Sequence, residues 1–122
     1  MTPPAEAALE RTFSQLDFDR FAALSGDDNP IHVDAAFATN SRFGRPVAHG
    51  LLLISVLRGL VETLRPGAGI AHMQVRFPAP TFAGEAMHFR AAAEEDQVTV
   101  ALSVRRSADG VLTCEGQCRV RS

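Results

Sequence analysis

The chain has 122 residues, 46% hydrophobic and 21% charged, with a formal net charge of −2. That length holds one domain around one core, residues 1–122, in the ordinary composition range of a globular protein. The charge leaves no basic footprint for nucleic acid, and the absence of lysine and tyrosine removes a Schiff-base lysine and a tyrosine acid from the candidate chemistry.

Residues 1–8, opening Met1-Thr2-Pro3-Pro4, read as a loose lead-in without the charged and apolar regions of a secretory signal. A short strand is predicted near Glu10 to Phe13. Ser14 and Asp17 have the spacing of a capping box, and Phe13 and Phe18 that of a hydrophobic staple. Phe18, Phe21, Ala22 and Leu24 are predicted to line the buried face of the resulting helix, with Gly26 as its stop. Asp34 to Ala38 suggests one short helical turn.

A second helix is predicted from Leu51 to Leu64. It is apolar on almost every side as far as Leu57, amphipathic from Arg58, and stopped by Pro66-Gly67. A helix of that kind has to be wrapped. The wrapping comes from alternating runs: Met73, Val75 and Phe77; Met87, Phe89, Ala91 and Ala93; Val98, Val100, Leu102 and Val104; then Leu112, Cys114, Cys118 and Val120. Ala108-Asp109-Gly110 marks a hairpin turn. The expected class is α+β, with an antiparallel sheet curled around a long central helix.

Cys114 and Cys118 sit four apart on a predicted strand, about 13 Å at ~3.3 Å per residue. A disulfide needs Cα atoms within roughly 7 Å, so they read as buried, inert thiols. The longest apolar run, Leu51 to Leu57, falls far short of the ~20 residues that cross a bilayer. A soluble chain in a reducing compartment, the cytoplasm, is expected, with no membrane contact.

The candidate chemistry lies between the two helices. In Ser25-Gly26-Asp27-Asp28-Asn29-Pro30-Ile31-His32, a carboxylate and an imidazole stand five residues apart on a turn that Gly, Asn and Pro keep out of helix. An acid and a base on a stiff loop are what proton transfer next to a carbonyl requires. Spacing alone does not choose between Asp27 and Asp28. Asn29 reads as a turn-shaping residue that also borders the substrate. Gly50 opens the apolar helix, where a free N–H at the positive end can receive negative charge on oxygen.

His49 and Ser55 are candidates for substrate contact. The bland alternatives are a loop hydrogen bond for His49 and a back-bond to its own helix for Ser55. His72 and His88 read as sheet-face residues. Asp27, His32, Asp34 and His49 match no recognised metal-ligand spacing, so no metal is expected. Arg42, Arg45, Arg76 and Arg90 are candidates for the phosphates of a thioester carrier.

The run from Phe21 to Asp34 resembles the hydratase-2 motif of MaoC-like dehydratases, which include the (R)-specific enoyl-CoA hydratases. Arg45-Pro46-Val47-Ala48-His49-Gly50 resembles that family's second landmark, and Phe77 to Glu85 its later Phe…Pro…Gly-acid turn. The motif register selects Asp27 over Asp28, because the acid follows the glycine directly. The resemblance implies a single hot-dog fold and reversible syn addition of water to trans-2-enoyl thioesters, giving (R)-3-hydroxyacyl products. Asp27 and His32 would share one water and Gly50 would hold the thioester oxygen, with no cofactor.

The resemblance also implies an acyl-CoA or acyl carrier protein thioester as substrate. It implies edge-to-edge dimerisation, either as a homodimer or with a related hot-dog chain. A hot-dog thioesterase and a non-catalytic acyl-binding subunit of a heteromeric dehydratase are the alternatives. Arg58 stands where relatives commonly carry a smaller residue. It would alter chain-length preference if it pointed at the acyl site and nothing if it pointed outward.

Overall fold

A computed structural model of the protein describes residues 5–121. The elements run β1 (Glu6–Thr12), α1 (Gln15–Ser25), α2 (Pro30–Val33), α3 (Ala35–Thr39), α4 (Gly50–Leu64), β2 (Ile70–Arg76), β3 (Ala86–Ala93), β4 (Thr99–Arg106) and β5 (Leu112–Val120). The strands form one five-stranded sheet in the order β1-β3-β4-β5-β2. Every neighbouring pair is antiparallel.

Register aligns the apolar alternation into rows across the sheet. Leu9, Phe89, Val104 and Cys114 make one row; Ala7, Ala91, Leu102, Gly116 and Val75 make the next. This face packs on α4, whose Leu53, Leu57, Leu60, Val61 and Leu64 are buried in the same core. At Gly116, β2 passes so close that a Cβ would stand 2.7 Å from the Cα of Val75. The thiols of Cys114 and Cys118 are free and buried in this core, as expected.

The first helix forms as its sequence dictates. Ser14 Oγ accepts from Asp17 N–H, Asp17 accepts from Ser14 N–H, and Gly26 closes the helix in the left-handed conformation. The Phe13 and Phe18 rings lie 6.3 Å apart, completing the staple. The hairpin at Asp109-Gly110 is also present, with Asp109 Oδ1 accepting from Val111 N–H.

Two expectations need correction. The first strand begins at Glu6, not Glu10, so residues 6–8 are not a loose lead-in; ladder pairing with β3 and the Glu6–Arg90 ion pair hold them. Met1 to Pro4 lie outside the described residues. Leu24 is 84% exposed and not on the core face of α1, because it falls two residues beyond the Phe18–Ala22 stripe and helical rotation carries it outward. On α4, Leu51, Ser55, Gly59 and Glu62 form an uncovered stripe. The sheet therefore wraps that helix only in part. Among the described residues no helix is long and apolar enough to cross a membrane.

Candidate active site

Three side chains from the two landmarks meet beside the start of α4: atoms of Asp27, His32 and His49 lie within 4.8 Å of one another. Local chemistry builds the first arm. Ser25 Oγ accepts from Asp27 N–H, and Asp27 Oδ1 receives Asn29 N–H at 3.4 Å. Asn29 then caps α2, its Oδ1 accepting from Ile31 N–H, with Pro30 in the first helical turn. His32 follows on α2, facing back toward Asp27.

Hydrogen bonds to backbone fix the tautomers. His32 Nδ1 is 2.8 Å from the carbonyl oxygen of Val47. A carbonyl only accepts, so Nδ1 carries the proton and Nε2 presents its lone pair. That Nε2 stands 3.8 Å from Asp27 Oδ2. At that distance two acceptors face one another with no direct hydrogen bond, and one water lying beside the pair can donate to both. Asp27 is half exposed and His32 mostly covered, so the pair is open to solvent from the carboxylate side.

His49 takes a different position. It is 1% exposed, its Nε2 donates to the Asp27 carbonyl oxygen at 2.9 Å, and its ring stacks on His32 with centroids 3.8 Å apart. Burial lowers its pKa from the ordinary imidazole value, which favours the neutral ring. Asp34 is not part of this group; it caps α3 through Phe37 N–H. With its Nε2–H given to the Asp27 carbonyl, His49 has no lone pair at that nitrogen for a metal, so Asp27 and His32 read as the acid–base pair.

Gly50 is the first residue of α4, and its N–H has no acceptor among the described residues. It lines a cleft of about 660 Å³ with Arg42, Phe43, Leu53, Phe77, Thr81 and Phe82 among its walls. Asp27 and His32 do not line that cleft; the 47–49 segment hydrogen-bonds to both of them and runs on into Gly50. That segment is stitched on both sides, by Val47 N–H to the Ile31 carbonyl and Ala48 N–H to the Thr81 carbonyl.

The other candidates make contacts of their own. Asp28 lies in a separate depression with Asp19, Gly26 and Val33, so the pairing with His32 belongs to Asp27. Ser55 Oγ donates to the Leu52 carbonyl of its own helix at 2.7 Å. Arg76 and Arg90 are paired with Glu115 and Glu6 on the outer sheet face, beside exposed His72 and His88. Arg45 lies over the Phe82 ring and reaches Glu85, which leaves Arg42 as the cleft cation without a carboxylate partner among the described residues. Arg58 points outward to Glu62.

Comparison with known proteins fits this geometry. A family model described as a MaoC like domain matches residues 2–113. The chain belongs to that family. This MaoC-like chain is 34% identical over 122 residues to the (R)-specific enoyl-CoA hydratase of Aeromonas caviae, covering 95% of this chain and 91% of the relative. It is 31% identical over 108 residues to the 3-hydroxybutyryl-CoA dehydratase of Methylorubrum extorquens, covering 87% and 66%. The solved (R)-hydratase of A. caviae superposes with a TM-score of 0.86 at 30% identity, over 99% of this chain and 96% of that one. The expected hot-dog architecture is thus borne out.

Sequence reading of this MaoC-like domain missed Gln15, whose Nε2 donates to the His32 carbonyl at 2.9 Å. It also missed the Val47 carbonyl and the Phe21 ring, which meets His49 edge-on at 4.9 Å. None of these carries a residue-type signature, because each acts through a backbone atom or a ring face.

Proposed function

We propose that the protein catalyses reversible hydration of trans-2-enoyl thioesters to (R)-3-hydroxyacyl thioesters, a hydro-lyase reaction. The carrying observation is the Asp27–His32 pair, two acceptors 3.8 Å apart with the imidazole tautomer fixed by Val47. The (R) configuration follows the name of the A. caviae relative.

One water donates a hydrogen to each member of the pair. As its oxygen bonds C3, the pair removes one proton and returns one to C2, so the atoms of water are added across the double bond. The thioester carbonyl takes up the electron density, and the Gly50 N–H at the positive end of α4 stabilises the oxygen. The thioester itself acidifies C2, and the sequence of steps uses no cofactor. Arg42, beside the same cleft, suits the phosphates of a CoA or acyl carrier protein arm.

The reading includes a second hot-dog chain, identical or related. β2 is an edge strand with one neighbour, and the uncovered α4 stripe begins with Leu51 at 61% exposure. Light scattering should give twice the chain mass at micromolar concentration; an active monomer contradicts this part. For the reaction, purified protein is assayed with crotonyl-CoA. Loss of the conjugated-enoyl absorbance without free thiol supports a hydratase, whereas free thiol signals a thioesterase.

A further inference from the structure

We infer that His49 is a positioning residue for this reaction: one buried imidazole holds the Asp27 backbone through Nε2–H and the plane of the His32 ring through its face. The inference rests on the Asp27–His32 reading, and it assigns His49 no contact with substrate.

The first support is an orphaned atom. Since Nε2 donates to the Asp27 carbonyl, Nδ1 of neutral His49 carries a bare lone pair, and that buried nitrogen has no partner among the described residues. An unsatisfied buried acceptor is a cost that a phenylalanine of similar shape would not incur. The compensation lies at the other nitrogen, on the residue whose carboxylate faces His32.

The second support is the freedom His32 would otherwise have. Its one side-chain hydrogen bond among the described residues, Nδ1–H to Val47, leaves the ring able to rock about that bond. His49 packs against its face at 3.8 Å with 23° between the planes, which removes the rocking. Phe21 in turn meets His49 edge-on. Residues 47–49 therefore deliver two constraints to His32 and one to Asp27 from a single stitched segment. The groups facing the His49 ring are Asp27 and His32. Because burial favours neutral His49, the stack does not set two cations face to face.

The test separates the two functions of the ring. His49→Gln keeps an amide N–H for the Asp27 carbonyl and loses the stack; His49→Phe keeps a ring and loses the donor. Each should lower kcat for crotonyl-CoA hydration by up to about 10²-fold, the scale of a small misplacement of reacting groups, with KM changed by less than about twofold. In an Asp27→Asn background, adding His49→Gln should reduce the residual rate by less than about threefold, since the pair it serves is already broken.

Wild-type kcat in both His49 variants, a loss confined to KM, or an undiminished loss in the Asp27→Asn background overturns the inference. Full turnover by Asp27→Asn alone overturns the pair reading, and this inference with it. Nitrogen NMR of the wild-type protein is a check that needs no variant. It should show a histidine protonated at Nε2 and bare at Nδ1; a proton on Nδ1 of His49 contradicts the anchor.

Discussion

Replacing Gly50 with proline and, separately, with alanine tests its backbone N–H. Gly50 is the N1 residue of α4, and the preceding His49 has φ −64 and ψ 137, an extended conformation that suits a residue before proline. Proline is at home at N1, so the backbone tolerates it. Both substitutions add a Cβ at the same place, 2.7 Å from Phe77 Cζ. The Phe77 ring is half exposed and can swing away from that Cβ in both variants, while proline alone also sets its Cδ where the N–H hydrogen stood. Only proline deletes the N–H. The ratio of alanine to proline rates therefore reports on the amide position, and losing one oxyanion donor there should cost at least about 10²–10³-fold in kcat, or roughly 3–4 kcal/mol. The assay is initial-rate hydration of crotonyl-CoA, with circular dichroism confirming that each variant is folded. Equal kcat in the two variants would refute the assignment of this amide to the thioester oxygen.

Gly116→Ala should disrupt the β2–β5 ladder, because its methyl meets the backbone of Gln74 and Val75 and not a movable side chain. A loss of about 1–3 kcal/mol in urea unfolding is expected, and an unchanged midpoint would contradict the packing. The Cys114 thiol is pushed up to about 11 by burial, and Cys118 is raised as well. At pH 8 only about one Cys114 thiol in a thousand is thiolate, so a thiol reagent should label the native protein slowly and the urea-unfolded protein fully. His49 titrates below its ordinary 6.5 in the fold. The unfolded chain therefore takes up a proton below about pH 6.5 that the native state refuses. That stability is present above the unfolded value and lost as pH falls through the folded one. Urea midpoints should decline over this range in the wild type and less so in His49→Phe; parallel curves would show that His49 is not the group responsible.

What was legible in the chain was whatever one short segment could specify. The Ser14/Asp17 box, the Phe13/Phe18 staple, the Gly26 stop and the Asp27–His32 spacing all act within a few residues, and all are present. The alternating strands were legible for the same reason. The start of β1 was not, because Glu6-Ala7-Ala8 has no strand preference and is held by β3, eighty or more residues away. Nor was the exposed stripe of α4, since apolar residues all round do not reveal which face the same chain covers. At the site, Gln15, Val47 and His49 act on Asp27 or His32 across 15 to 22 residues through backbone carbonyls and a ring face. Residue identity encodes none of that until the chain is folded.

The pair itself is tested most directly by a double-mutant cycle on crotonyl-CoA hydration, comparing the wild type with Asp27→Asn, His32→Gln and the double variant. If both side chains act on one water, each single change lowers kcat by about 10²–10⁴-fold, and the double variant falls little below the worse single one. Asp28→Asn, whose carboxylate lies in a separate depression, should keep near wild-type turnover. Single variants that retain turnover, or losses that multiply in the double variant, would contradict the account.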